Sequence, residues 1–185
     1  MAAESPNTFY FGYGSNLWRE QMARRCPDST FLGIARLRHY AWFINDRGYA
    51  NIVYAQNHEV WGSVYSLTAT DEASLDRNEG VPDIYQKETK SALLWGADSD
   101  GFADPTGPSK NETLLVYIDH DRTTTSKPKQ EYIYRMNRGI EDALRAGIPR
   151  GYVQGVIREY IPKDQPADPE VEQLALRQAQ DFESE

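Results

Sequence analysis

Two short segments of the chain carry residue types and spacings that could do chemistry. In Phe11-Gly12-Tyr13-Gly14-Ser15-Asn16-Leu17, two glycines separate an aromatic run from a stretch that can open a helix. Glycines at such a junction permit unusual backbone angles and close approach of a ligand. The loop can then turn backbone N–H groups toward a carboxylate or an oxyanion. Read alone, it is first of all a tight strand-to-helix turn. In Ser74-Leu75-Asp76-Arg77-Asn78-Glu79-Gly80-Val81, a carboxylate ends a short helix just before a glycine. Beside the negative end of a helix, and facing an enclosed cavity, Glu79 would have a raised pKa and make a better general base. Read alone, it is a solvated helix-end glutamate.

Other reactive types are less well placed. Cys26, the single cysteine, lies between Arg25 and Pro27 at a helix end; pairing it with His39 would suggest thiol catalysis, but the surroundings are not those of a nucleophile. Asp119-His120-Asp121 has the look of a metal cluster, yet no second ligand pair stands at metal spacing, so a solvated turn is expected. His58, in Gln56-Asn57-His58-Glu59, also reads as a turn residue. Neither a metal nor another cofactor is expected.

The elements that must position these residues follow from periodicity and punctuation. Thr8–Phe11 reads as a buried strand ending at Gly12, and Ser15 or Asn16 as the N-cap of a helix carrying Leu17, Met22 and Ala23, stopped by Pro27. Strand-like runs follow at Thr30–Leu37, Tyr40–Ile44, Ala50–Tyr54 and Val60–Leu67. A helix with Thr70 as N-cap leads to Glu79-Gly80. The runs Tyr85–Trp95 and Glu112–Ile118 pair across a surface loop, Gly96–Asn111. Lys129–Ala146 is the clearest amphipathic helix, closed by Gly147 and Pro149, and a further helical piece spans Tyr152–Tyr160. Residues 163–185 read as a polar, acidic tail with a marginal helix around Val171–Ala179, dispensable for folding and turnover. The expectation is one domain over residues 1–162, of α+β class, followed by that tail.

With 185 residues the chain can bury a core without disulfides or metals. A net charge of −8, with no concentrated basic patch, argues against nucleic acid. The start of the chain lacks the basic and apolar regions of a signal peptide, and no stretch has the length of a membrane span, so a cytoplasmic location and no membrane partner are expected.

Taken together, the two segments resemble the γ-glutamylcyclotransferase superfamily. Its members have a Tyr-Gly-Ser-Asn loop after the first strand, here Tyr13-Gly14-Ser15-Asn16, and a Glu-Gly after a mid-chain helix, here Glu79-Gly80. The likeness continues through Glu59-Val60-Trp61-Gly62-Ser63-Val64-Tyr65 and Tyr85, and covers most of Phe9 to Pro162. The resemblance implies a small mixed β-barrel with flanking helices, γ-glutamylcyclotransferase-like, with the substrate held at its mouth. It implies Glu79 as the acid/base residue and Tyr13, Gly14, Ser15, Asn16 and Leu17 as the loop on the glutamyl part. Tyr85, Tyr117 and Tyr132 match pocket tyrosines. It further implies a small γ-glutamyl substrate and is compatible with a homodimer. The amino acid branch of the superfamily is the nearest in form; glutathione or a glutathione-derived conjugate is the alternative substrate. A non-catalytic binding member of the fold is the alternative of another class.

Such a reaction suits these residues. The free α-amine of a γ-glutamyl compound can close onto its own side-chain carbonyl, so the substrate supplies the nucleophile. One carboxylate that takes and returns protons, with donors for the oxyanion, is then enough; the Gly14–Leu17 backbone is the expected source of those donors.

Overall fold

The computed structural model describes residues 7–163 and 168–181. Five strands close into a barrel in the order β1-β3-β2-β4-β5. They are β1 (Thr8–Gly12), β2 (Thr30–Ile44), β3 (Ala50–Leu67), β4 (Gln86–Gly96) and β5 (Lys110–Ile118). All neighbours are antiparallel except the closing pair, where β1 lies parallel to β5 with Tyr10 opposite Leu115. The mixed barrel and its α+β class are therefore those expected. Closure brings the outer strands β1 and β5 together, and the strands seal a core that includes Phe11, Ile34, Ile52, Val64, Leu114 and Ile118.

The four runs between Thr30 and Leu67 merge into two long bent strands. Irregularities in the β2–β3 pairing at Phe31/Gly33 and Arg38/Tyr40 absorb the bend, and His39 and Asn57 take positive φ near the second. Extra residues of this kind bend a strand without ending it, so interruptions in the hydrophobic pattern looked like strand ends. At the far end of this hairpin the Asn45 side-chain oxygen accepts from the N–H groups of Arg47 and Tyr49, at 3.1 and 3.3 Å. That turn presents Arg47 and Tyr49 to the barrel mouth.

A 3-10 turn, Ser15–Leu17, precedes α1 (Arg19–Arg25), and the N-cap position of α1 belongs to Trp18. Neither Ser15 nor Asn16 caps the helix, because both side chains are taken up in a buried network. Helix α2 (Ala69–Asn78) starts at Thr68 rather than Thr70: the Thr68 hydroxyl accepts from Asp71 N–H while the Asp71 carboxylate accepts from Thr68 N–H, a reciprocal capping box. Helix α2 ends with Glu79 as C-cap and Gly80 at φ 62, the left-handed geometry that glycine adopts without a Cβ penalty.

Helix α3 (Gln130–Ala146) lies against the 3-10 turn. Gly139 makes that approach feasible, since a Cβ there would stand 3.0 Å from both Leu17 Cβ and Trp18 N. After it come α4 (Arg150–Tyr152), a π segment (Val153–Ile157) and α5 (Arg158–Tyr160), forming one irregular helical run.

The segment read as a polar tail contains a 12-residue helix, α6 (Pro169–Gln180). It packs on α1 and α3, with Ala175 and Ala179 fully buried. Small residues rather than large apolar ones make this contact, which is why composition gave little sign of it. Residues 164–167 and 182–185 of that segment, and residues 1–6, lie outside the described residues. Among the described residues no helix is long and apolar enough to cross a membrane.

Candidate active site

The barrel mouth opens into a pocket of about 570 Å³, open solvent at its mouth included. The Gly-rich loop forms one wall. A Cβ at Gly14 would lie 2.8 Å from Tyr132 Oη and 3.1 Å from Ala50 Cβ, so only glycine lets the loop pass between them. Tyr132 Oη accepts from the N–H groups of Ser15, at 3.2 Å, and Ala50, at 3.3 Å. With both acceptor positions taken by amides, the Tyr132 O–H proton is left to donate elsewhere.

Glu79 borders the same pocket. Its backbone is fixed as the C-cap of α2, where its N–H reaches Leu75 O at 2.8 Å. Desolvation raises its pKa above the ordinary carboxylate range, and the charge of Asp76 acts in the same direction. Arg25, Arg135 and Arg47 oppose the shift without cancelling it. The result is a carboxylate with enhanced proton affinity that still has cations around it.

The pocket tyrosines differ in what their hydroxyls have left to offer. Tyr13 Oη donates to Tyr117 O at 2.6 Å and Tyr85 Oη donates to Ala50 O at 2.8 Å. Each therefore presents an oxygen lone pair, the form that suits an ammonium group. Tyr117 Oη donates to Asp76 Oδ1 at 2.7 Å, so its hydroxyl ties β5 to α2 while its ring lines the pocket. Burial pushes the phenol pKa of Tyr13, Tyr85, Tyr117 and Tyr132 upward and keeps them neutral.

Behind the loop lies a buried polar network. Gln21 donates to Ser15 Oγ at 2.9 Å and to Asn16 Oδ1 at 2.7 Å. Asn16 Nδ2 donates to Tyr10 Oη at 2.9 Å. Arg135, ion-paired with Glu131 at 2.8 Å, reaches Ser15 Oγ at 3.1 Å and Gln21 Oε1 at 3.2 Å. Satisfied networks of this kind hold a single geometry.

Of the residues expected at the site, Glu79, Tyr13, Gly14, Ser15, Asn16, Tyr85, Tyr117 and Tyr132 border this pocket. Leu17 does not border it. Its side chain is completely buried in the core between the turn and α3, and its N–H is taken by Gly14 O at 3.0 Å. Sequence reasoning missed Tyr10, Arg25, Arg47, Tyr49 and Arg135, which share the pocket wall. A signal existed for two of them: Gln21/Arg25 and Glu131/Arg135 are i,i+4 pairs on helix faces that also carry buried Met22 and Tyr132.

The remaining candidates have structural roles. Cys26 is buried and its thiol is pushed up to about 12, so it is protonated at neutral pH. Asp119 accepts from the N–H groups of Asp121 and Arg122 and from the Arg122 guanidinium, closing a turn. Exposed His120 contacts Glu88, and exposed His58 meets Gln56 O at 3.1 Å.

A mixed barrel whose mouth gathers a desolvated carboxylate, a Gly-rich loop and tyrosine hydroxyls around one pocket has the make-up of a small-molecule site. Residues 10–135 match the family described as gamma-glutamyl cyclotransferase, AIG2-like, and the chain belongs to that family. It is 37% identical over 165 residues to the gamma-glutamylcyclotransferase of Bos taurus, covering 75% of this chain and 88% of that protein. A shorter match, 37% over 82 residues, joins it to gamma-glutamylcyclotransferase of Homo sapiens, covering 39% of this chain and 44% of that one. Among solved structures, one titled gamma-glutamyl cyclotransferase superimposes with a TM-score of 0.67 at 23% identity, covering 92% of this chain and 99% of its own. A Homo sapiens protein described as uncharacterized gives 0.65 at 24%, covering 93% and 99%. These superpositions show the fold.

Proposed function

We propose that the chain is a γ-glutamyl cyclotransferase converting a γ-glutamyl amino acid or peptide to 5-oxoproline and the free amine. The observation that carries this reading is the desolvated Glu79 carboxylate sharing one pocket with the Gly-rich loop and several tyrosines. In the proposed reaction the α-amine attacks the side-chain carbonyl carbon of the same glutamyl group. A C–N bond closes the five-membered lactam and the original amide C–N bond breaks. The α-nitrogen begins with three protons and ends as a lactam N–H with one, while the departing nitrogen goes from one proton to three. Glu79 relays these two protons in turn and ends ionised, as it began.

The lone pairs of Tyr13 and Tyr85 suit the substrate ammonium. The free Tyr132 O–H and the leading amides of the 3-10 turn, Gly14 and Asn16, suit the carbonyl oxygen as it becomes an oxyanion. Ser15 and Leu17 amides are already engaged, which narrows the oxyanion donors of the loop to the other two. Arg47, carried to the pocket wall by the Asn45 turn, is assigned to a carboxylate on the leaving amino acid. That assignment favours γ-glutamyl amino acids over γ-glutamylamines. The reaction itself calls on no thiolate or metal, and we place it in the cytoplasm.

The test is to incubate the protein with γ-glutamyl-alanine and, separately, with glutathione, and to assay 5-oxoproline. Release from γ-glutamyl-alanine is expected; release from glutathione alone would move the substrate to the glutathione branch. Release from neither, with the protein folded, would leave a binding member of the fold.

A further inference from the structure

Arg25 is 5% exposed and borders the pocket. Among the described residues no carboxylate lies within ion-pair distance of it. Its hydrogen bonds go to neutral oxygens: Nη2 to Gln178 O at 2.6 Å, Nε to Ala179 O at 3.3 Å and Nη1 to Asn16 Oδ1 at 3.3 Å. Gln178 and Ala179 belong to the last turn of α6, where helix carbonyls lack intrahelical partners and the helix dipole is negative. Burying a guanidinium is costly unless its N–H groups are satisfied and its charge is balanced. The C-terminal end of α6 does both.

We propose that α6 is a working part of the active site: its last-turn carbonyls hold Arg25 in the pocket wall, and Arg25 is a positioning residue that fixes Asn16 and faces Glu79 with positive charge. The inference rests on the cyclotransferase reading for its kinetic consequence. It concerns a helix beyond residues 10–135, the span matched by the family.

The coupling runs from α6 through Arg25 to two parts of the site. Asn16 Oδ1 is held by Arg25 and Gln21 together, and Asn16 sits in the loop that receives the glutamyl part. Burial lowers the Arg25 pKa to about 10, which still leaves it charged at neutral pH. The charges facing Glu79 are Arg25 from α1, Arg135 from α3, Arg47 from the β2–β3 turn and Asp76 from α2. The phenols of Tyr10, Tyr13, Tyr85, Tyr117 and Tyr132 and the Cys26 thiol also face it, each neutral at pH 7 because burial raises its pKa. Arg25 is the first of the three cations in its effect on Glu79, and it lowers the pKa of that group. Releasing it therefore raises the Glu79 pKa further. Activity requires ionised Glu79, so the acid limb of the pH–rate profile moves to higher pH.

The experiment uses the full-length chain with Arg25→Met, Arg25→Lys and Ala175→Gln, the last placing a neutral, bulkier group on the buried face of α6. Folding is checked by circular dichroism. The readouts are kcat/KM against pH for 5-oxoproline release from γ-glutamyl-alanine and the Glu79 carboxyl titration by carbon-13 NMR. Arg25→Met and Ala175→Gln should each lower kcat/KM about 10- to 100-fold, the scale of a displaced catalytic geometry. Both should move the acid limb and the NMR titration upward, by about one pH unit. Arg25→Lys, retaining the charge, should restore most of the pH profile and only part of the rate. If Ala175→Gln is insoluble, Ala175→Ser replaces it and should shift both readouts in the same direction. Folded α6 variants with the wild-type profile and titration, or with lower rate and no shift, would make α6 a structural helix only and overturn the proposal. If the wild-type protein releases no 5-oxoproline, the cyclotransferase reading fails separately, and the NMR titration still decides whether α6 acts through Arg25 on Glu79.

Discussion

Replacing Gly14 by alanine probes the loop through one methyl group. The new Cβ would sit 2.8 Å from Tyr132 Oη and 3.1 Å from Ala50 Cβ. Tyr132 is 4% exposed and cannot swing into solvent, so its hydroxyl must move off the two amides it now accepts from, Ser15 and Ala50. Two neutral hydrogen bonds at about 0.5–1.5 kcal/mol each set a stability loss of about 1–3 kcal/mol. For a chain of this size that corresponds to a fall in Tm of about 3–10 °C. Turnover should fall further than stability implies, about 100-fold, because the loop amides and Tyr132, the proposed oxyanion donors, would be displaced together. The assay is a double-mutant cycle with Tyr132→Phe, reading Tm by thermal unfolding and turnover by 5-oxoproline release. Removing the hydroxyl removes both the main clash and the hydrogen bonds. Gly14→Ala should therefore cost far less in the Tyr132→Phe background than in wild type, a coupling of at least about 1 kcal/mol. Additive losses, or wild-type turnover in Gly14→Ala alone, would refute the claim that the loop and Tyr132 form one unit.

Cys26→Ser should retain turnover within about twofold, since burial keeps the thiol protonated near pH 7; a large loss in steady-state assays would revive thiol catalysis. Tyr85→Phe removes the donor to Ala50 O and should slow turnover by about 3- to 10-fold, in line with one lost hydrogen bond; unchanged kinetics would remove that hydroxyl from the site. Arg47→Ala should raise KM for γ-glutamyl-alanine about 10- to 100-fold, the worth of a charge-assisted hydrogen bond, while leaving KM for a γ-glutamyl alkylamine nearly unchanged; equal effects on both substrates would show that Arg47 does not read the leaving carboxylate. Because the folded pKa of Glu79 lies above its unfolded value, its contribution to stability is fully present below the unfolded pKa and is lost as pH rises through the folded one. Glu79→Gln should accordingly melt above wild type at pH 8, with the gap closing as pH falls toward about 4.

What the sequence made legible was local. Tyr13-Gly14-Ser15-Asn16 and Glu79-Gly80 are short stretches whose residue types carry their own reasons, and the pocket brings them together. Leu17 belonged to the same motif by adjacency, but the 3-10 turn rotates its side chain into the core. The cations were harder to see. Arg25 and Arg135 lie on helices rich in charge, and a buried arginine looks like a solvated one until its partners are known. For Arg25 two of those partners are backbone carbonyls more than 150 residues away along the chain, and backbone oxygens leave no mark in a sequence. The docking of α6 was hidden for a related reason: Ala175 and Ala179 bury completely but add little to a hydrophobic pattern. The merged β2 and β3 strands show the opposite error, in which bends at Arg38/Tyr40 looked like strand ends.

Glu79 is proposed to move the protons of an intramolecular amide exchange. Glu79→Gln keeps the side chain's shape and hydrogen-bonding reach but cannot accept the ammonium proton, so ground-state binding should survive while the proton-transfer step fails. On one preparation, calorimetry with γ-glutamyl-alanine and an assay of 5-oxoproline release separate the two. Glu79→Gln should fold, bind the substrate and lose at least ~10²–10⁴-fold in turnover, the usual contribution of general acid–base catalysis. Turnover within a few-fold of wild type would contradict it, and the proton-transfer group would have to be sought elsewhere in the pocket.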